Sequence, residues 1–180
     1  MLGGTGSGKG TQAQRLFQRL SIPVISTGEV LRAGIASQTS LGNQAKTYVE
    51  EGELVPDPIM IEFMKQRLLQ PNVSRGWILE GYPRTAFQAE ELDFLLDKLG
   101  QRFDWAIYLQ VSEPIMMERS LRRSLPDDQP DIIKRRIDMF YERTVPILEY
   151  YDRRNKLLTI NGEQKEEQVE EEILHEIVNM

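Results

Sequence analysis

The sequence predicts an α/β fold in which a parallel sheet is covered by helices on both faces. Three observations carry this. The glycine-rich stretch Gly3-Gly4-Thr5-Gly6-Ser7-Gly8-Lys9-Gly10-Thr11 runs straight into a segment of helical period. Short apolar runs alternate with longer amphipathic segments along the whole chain, the arrangement of βαβ units. Loops bearing Lys or Arg follow the apolar runs, and so gather at the carboxyl ends of the strands, where open parallel sheets bind their ligands.

The glycine-rich stretch fits G-x-x-x-x-G-K, a phosphate-binding loop. Glycines let the backbone take positive φ and approach a polyphosphate closely, with successive N–H groups turned inward as an anion nest. Lys9 adds a mobile point charge. The helix that follows, Gln12 to Leu20, points its positive end at the same anion and groups Ala13, Leu16, Phe17 and Leu20 on one face. The strict pattern asks for Ser or Thr directly after the lysine; here Gly10 intervenes before Thr11. Such a loop normally follows a buried strand. Only Met1 and Leu2 precede Gly3, so the first strand is expected to be truncated.

In chain order, Val24-Ile25-Ser26 reads as a strand, and Thr27-Gly28-Glu29 opens a helix capped by Ser26 or Thr27. Leu41 to Glu51 is a helix ended near Gly52, and Asp57-Pro58 starts another through about Leu69. Trp77-Ile78-Leu79 is a strand ending at Glu80-Gly81, and Thr85 to Leu99 is amphipathic. Trp105 to Val111 is a strand, Pro114 to Arg122 a helix, and Asp131 to about Arg154 a long helix with Pro146 as its one place to bend. Leu157 to Ile160 and Gln168 to Val178 are the last strand and helix. The helices from Thr27 to Leu69 come without a strand between them, the mark of a lobe standing off the core.

A chain of 180 residues is one domain by length, and 40% hydrophobic with 28% charged residues is ordinary for a globular one. The net charge of −6 argues against a nonspecific nucleic-acid or membrane-surface role, so any anion site needs a local cluster of cations. The lack of cysteine excludes disulfides and thiolate metal sites and fits a reducing compartment, the cytoplasm. No run is apolar enough to span a bilayer as a helix, and no signal peptide is visible.

Lys9, Arg32, Arg84, Arg119, Arg123 and Arg136 all fall on the expected ligand rim. So many cations there call for a polyanion. Gly81-Tyr82-Pro83-Arg84 is a stiff turn at a strand end that holds its guanidinium in place. No general base accompanies them: the single histidine, His175, belongs to the solvated side of the last helix. A phosphate monoester, with a second pKa near 6, is already mostly a dianion at neutral pH and needs no base to attack. It needs to be held in line with a donor phosphate while cations neutralise the crowded charge. This combination suits transfer between nucleotide phosphates better than hydrolysis.

Nearly the whole chain resembles the adenylate kinase family, whose P-loop nucleoside-triphosphate-binding fold carries a helical AMP-binding lobe and a lid. Gly8-Lys9-Gly10-Thr11-Gln12 resembles the family's own variant of the phosphate loop, which accounts for Gly10. Ser26-Thr27-Gly28-Glu29-Val30-Leu31-Arg32 resembles its monophosphate segment, and Glu80-Gly81-Tyr82-Pro83-Arg84-Thr85 with Gln88 its signature. The resemblance implies that Gly6, Ser7, Gly8, Lys9, Gly10, Thr11, Arg119, Arg123 and Gln164 hold ATP, Gln164 through its backbone at the adenine. It implies that Thr27, Gly28, Arg32, Glu53, Leu54, Val55, Gly81, Tyr82, Pro83, Arg84, Gln88 and Arg136 hold AMP, with Arg84 on its phosphate, Gln88 on its adenine and Arg136 between donor and acceptor. Lys9, Arg84, Arg119, Arg123 and Arg136 would act in catalysis, and Glu80 would reach Mg²⁺ through water. The implied organisation is a single domain, 1–180, with an AMP-binding lobe at about 26–55 and a short lid at about 122–128. That lid has no Cys or His and cannot hold zinc. The implied reaction converts ATP and AMP reversibly into two ADP, with Mg²⁺ and in a monomer.

Glu80 and Glu29 replace aspartates of the family pattern, and Leu125 stands where a lid arginine is expected. Two alternatives therefore stand beside the kinase reading. One is a kinase of UMP or CMP, against which Thr27 argues. The other is a nucleotide-binding sensor or partner protein with weak turnover, which Glu80, Leu125 and the short start favour.

Overall fold

The computed structural model describes residues 1–123, 125 and 128–179. Its strands are β1 (Val24–Ser26), β2 (Ile78–Glu80), β3 (Ala106–Gln110) and β4 (Leu157–Asn161). β1 pairs with β2 in parallel, Ile25 opposite Leu79, and β3 pairs with β4 in parallel, Tyr108 opposite Thr159. Met1 and Leu2 stand where the central strand belongs. The Met1 nitrogen donates to Leu79 O at 2.7 Å, Leu2 N donates to Ile107 O at 2.6 Å, and Leu109 N donates back to Leu2 O at 2.9 Å. Two residues thus bridge the two ladders and deliver Gly3 at the carboxyl ends of β2 and β3.

The helices are α1 (Lys9–Leu20), α2 (Thr27–Ala36), α3 (Ser40–Glu51), α4 (Asp57–Leu68), α5 (Ala86–Lys98), α6 (Glu113–Arg123), α7 (Pro130–Met139), α8 (Val145–Asp152) and α9 (Glu166–Asn179). Against one face of the sheet, Ala13 and Leu16 of α1 and Val169 and Ile173 of α9 pack on Ile107, Leu109, Leu158 and Ile160. On the other face, Ala89 of α5 and Ile147 and Tyr151 of α8 pack around Leu2 and Ala106. This is the α/β arrangement with helices on both faces. Among the described residues no helix is long and apolar enough to cross a membrane.

Two expectations need correction. Phe17 and Leu20 are not core: they are 44% and 41% exposed, while Gln12 is buried beside Ala13 and Leu16. Phe17 sits 100° round the helix from Leu16, at the edge of the stripe, and Leu20 is the helix's last residue, a turn beyond it. The long helix of 131–154 is two helices joined by a π-helical turn, Phe140–Thr144, in which Val145 N bonds Phe140 O, five residues back. Pro146 has no N–H to give and its ring presses on the carbonyl four residues earlier, so the chain widens just before it.

Consecutive helices α2 to α4 join a cluster that also takes in Ile25 of β1, Leu79 of β2 and Leu92 and Leu96 of α5, with Met60, Phe63 and Met64 of α4 and Ala45 and Val55. α2 and α3 cross at Gly34 and Gly42, where a Cβ on Gly42 would lie 2.1 Å from Gly34 O. Only a bare Cα fits that crossing.

Candidate active site

A cavity of about 740 Å³ opens at the carboxyl end of the sheet. Every residue nominated from the sequence lines it, from Gly6 to Thr11, through Thr27, Gly28, Arg32 and 53–55, Glu80 to Arg84 and Gln88, to Arg119, Arg123, Arg136 and Gln164. Arg122 and Leu125 line it too. Of the expected lid, Ser124, Pro126 and Asp127 lie outside the described residues.

The glycine loop owes its shape to backbone freedom. Gly8 caps α1 in the left-handed region at φ 93°, with open space where a side chain would stand. Gly6, at φ 74°, lies so close to α6 that a Cβ would sit 2.2 Å from Met116 O. Lys9 folds back over this loop, and its Nζ donates to Gly4 O at 2.7 Å. Burial pulls the Lys9 ammonium down to about 8; Glu80 opposes that shift, and Arg84 and Arg123 add to it.

Glu80 ends β2 in the middle of these cations. Burial alone would raise its carboxyl, but Lys9 and Arg84, helped by the Ser26 hydroxyl at 3.0 Å, hold it below the usual range. It is ionised and can only accept. Thr27 Oγ1 donates to Glu80 O at 3.1 Å, which closes the start of α2 onto the end of β2. Gly81 makes the turn at φ 84°, and a Cβ there would strike Thr27 Oγ1 at 2.3 Å.

Arg84 is built in by three hydrogen bonds. Its Nε donates to Gly81 O at 2.7 Å, its own N–H donates to Gln88 Oε1 at 2.8 Å, and its carbonyl accepts from Thr144 Oγ1 at 3.0 Å. Gln88 in turn donates through Nε2 to Asp57 Oδ1 at 2.8 Å, and Thr85 Oγ1 donates to the same oxygen at 3.1 Å. The buried Gln88 is therefore a brace for Arg84. Any contact it makes with a base uses the second hydrogen of Nε2 or the second lone pair of Oε1.

On the opposite side, Arg119 Nη1 donates to Gly162 O at 2.8 Å, which ties α6 to the loop bearing Gln164. Gln164 Nε2 donates to Asn161 O at 3.2 Å. Arg123 makes a two-armed pair with Asp128, Nε to Oδ2 at 2.9 Å and Nη2 to Oδ1 at 2.7 Å, and Arg136 Nη1 lies 3.8 Å from the same carboxylate. Burial works to raise Asp128, yet these arginines and the Leu125 N–H keep it below the usual carboxylate range.

Sequence reasoning passed over four supports: Ser26 on Glu80, Asp57 under Gln88, Thr144 on Arg84, and Asp128 between two arginines. Asp57 had been read only as a helix start. A further one, Gln12, is buried and donates through Nε2 to Glu166 O at 2.9 Å, joining the helix of the phosphate loop to α9, while its Oε1 has no partner among the described residues. The one signal the sequence held is its place next to a glycine loop, four residues before Leu16, since a polar side chain on the apolar stripe of α1 needs a reason.

The adenylate kinase family model matches residues 1–156. The chain belongs to the adenylate kinase family. It is 64% identical over 174 residues to "Adenylate kinase 2" of Nostoc sp., covering 97% of this chain and 95% of the relative. It is 60% identical over 174 residues to "Adenylate kinase 2" of Synechocystis sp., covering 97% and 96%. It is 42% identical over 178 residues to "Adenylate kinase" of Stenotrophomonas maltophilia, covering 97% and 95%. The glycine loop, the Arg84 turn and the cationic cavity are thus features of an adenylate kinase chain.

Proposed function

We propose that this protein transfers the γ-phosphoryl group of ATP to AMP, reversibly giving two ADP. The observation that carries this is the composition of the cavity. Among the described residues, Lys9, Arg32, Arg84, Arg119, Arg122, Arg123 and Arg136 line it against Glu53, Glu80 and Glu166, in a protein of net charge −6. No strong base accompanies them among the described residues: Lys9 and Arg84 hold Glu80 below the usual carboxylate range, which makes it a poor proton acceptor, and His175 stands exposed on α9.

The chemistry follows from that set. Lys9 and the N–H groups of the glycine loop bind the donor's outer phosphates, with Arg119 and Arg123 on the same side. Arg84 and Arg32 hold the acceptor phosphate, and Arg136 stands between the two. An oxygen of the AMP dianion forms the new P–O bond as the bond from the γ-phosphorus to its bridging oxygen breaks, and ADP leaves with that oxygen. No proton has to move. The arginines lower the barrier by neutralising charge on the oxygens in flight, and fixing both phosphates in line removes most of the entropic cost.

Mg²⁺ fits this donor set. It commonly binds through one or two carboxylates together with substrate phosphates and water, and ionised Glu80, which lines the cavity with the glycine loop, would hold it through water. The ion would supply positive charge for the donor phosphates. Among the described residues no cluster of three or more His, Cys, Asp or Glu could hold a metal by itself. We read the protein as a monomer, since neither set of nucleotide-binding residues calls for a second copy, and its cysteine-free sequence suits a reducing compartment such as the cytoplasm.

Coupled assay of ADP formation from ATP and AMP, against a panel of acceptors with UMP and CMP, tests this reading. AMP is expected to be the preferred acceptor. A rate no higher than that of the Lys9→Ala protein would refute the reading.

A further inference from the structure

α7 turns one face toward the end of α3. Ile132, Arg135 and Arg136 stand at i, i+3 and i+4 and therefore share a side of the helix. Gly52, left-handed at φ 73°, closes α3 directly against them. A Cβ on Gly52 would meet Ile132 Cγ2 at 2.7 Å, with Arg136 Nε at 3.8 Å. Arg135 then clasps the turn from either side of that glycine. Its Nη1 donates to Glu51 O at 2.9 Å and lies 3.3 Å from Glu53 Oε1. The next residues, Glu53-Leu54-Val55, line the cavity, and so does Arg136.

We propose that Arg135 is a positioning residue for the acceptor nucleotide: it seats the 51–55 segment on α7, so that one wall of the acceptor seat is held beside Arg136, whose guanidinium also faces Asp128. This rests on the function proposed above. The two side chains are half exposed, 50% for Arg135 and 40% for Glu53, so the ion pair alone contributes little to folding. Its value is register. The carbonyl bond at Glu51, the pair at Glu53 and the bare Cα at Gly52 leave the turn one way to lie on the helix. On the donor side, Lys9, Arg119 and Gln164 are tied to the glycine loop and the 161–166 segment, and Arg123 to Asp128.

The inference is tested by calorimetric titration of Arg135→Ala and Arg135→Lys with AMP and, separately, with a non-hydrolysable ATP analogue. Arg135→Ala is expected to weaken AMP about fivefold to tenfold, the size of one lost hydrogen bond, and to leave the ATP analogue within about twofold. Arg135→Lys, which keeps a donor and a charge, should recover most of the loss. Hydrogen exchange in nucleotide-free protein should be faster across 48–55 in Arg135→Ala and unchanged across the glycine loop. AMP affinity equal to the parent protein's, or equal weakening of both nucleotides together with a lowered melting temperature, would overturn the proposal. Binding and exchange are read without turnover, so an inactive parent protein would refute the proposed function and leave this seating to be decided separately.

Discussion

Lys9 is a residue whose charge state its surroundings change. Burial pulls it to about 8 from an ordinary value of 10.5, and Arg84 and Arg123 act in the same direction against Glu80. At pH 7 it is still a cation, and a bound polyphosphate favours that cation further. The free protein should therefore lose activity with rising pH before the nucleotide complex does. We predict that kcat/KM for ATP falls with an apparent pKa near 8, while kcat holds to higher pH. A kcat/KM flat to about pH 9.5 would show that Lys9 is not the group involved. The linkage to stability has the opposite slope. Between pH 8 and 10.5 the unfolded chain binds the proton that the folded chain has released, so Lys9's contribution to stability rises with pH across that window, and below it the burial penalty is full. Arg84 gives a second test at this scale. Its bonds brace the side chain for a ligand and do not join the apolar core. Arg84→Ala should lower kcat/KM about 10²- to 10³-fold, as the loss of one transition-state donor does. Its melting temperature should stay within about 2 °C of the parent's, as for a substitution outside the core. A large drop in melting temperature with turnover kept would assign Arg84 to the fold. Arg84 was legible in the sequence because its turn is local, four residues read in a row. Its supports were not: Asp57 is reached across 31 positions from Gln88, and Ser26 across 54 from Glu80. No spacing rule announces such partners. They exist only once β1 lies beside β2 and α4 beside α5.

At the scale of elements, the crossing of α2 and α3 is the tightest joint near the acceptor side. Gly42→Ala would place a methyl 2.1 Å from Gly34 O and 2.2 Å from its carbonyl carbon, both backbone atoms that cannot rotate away. The two helices must then part. We expect about 1–3 kcal/mol of destabilisation, the usual cost of overpacking. Hydrogen exchange should speed in α2 and α3 and stay unchanged in β3 and β4. Gly42→Ala with parent stability would show the crossing to be looser than this. The elements themselves were legible where period and punctuation agree. Gly52 stops α3 in the left-handed region, Pro58 opens α4, and Thr85 caps α5 with its hydroxyl on the Gln88 N–H at 3.2 Å. Period alone misled where it ran past the surface it packs on. It put Phe17 and Leu20 in the core and hid the role of Gln12. Pro146 marked where a long helix must yield, but a proline does not say whether the chain kinks or widens, and here it widens over Phe140–Thr144.

At the scale of the whole molecule, the protein is acidic overall and cationic in the cavity at the carboxyl end of the sheet, an arrangement that draws anions there. The sheet makes this possible by ending β1, β2 and β3 at one rim, with Met1 and Leu2 stitching the two ladders so that the glycine loop starts among them. Which residues share that rim could be read in advance, because parallel strands put every following loop on the same side. How the cations are held could not, because Asp128 and Gly162 reach them only through the packing of α6, α7 and the 161–166 loop. The central claim is that two nucleotides sit end to end in this cavity with their phosphates facing. Titration calorimetry with two adenosines joined by five phosphates measures that most directly. The account predicts one molecule bound per chain, displaced by ATP and by AMP alike, and weakened at least about 100-fold by Arg84→Ala. Binding that only one of the two nucleotides can displace, or that survives Arg84→Ala undiminished, would contradict it.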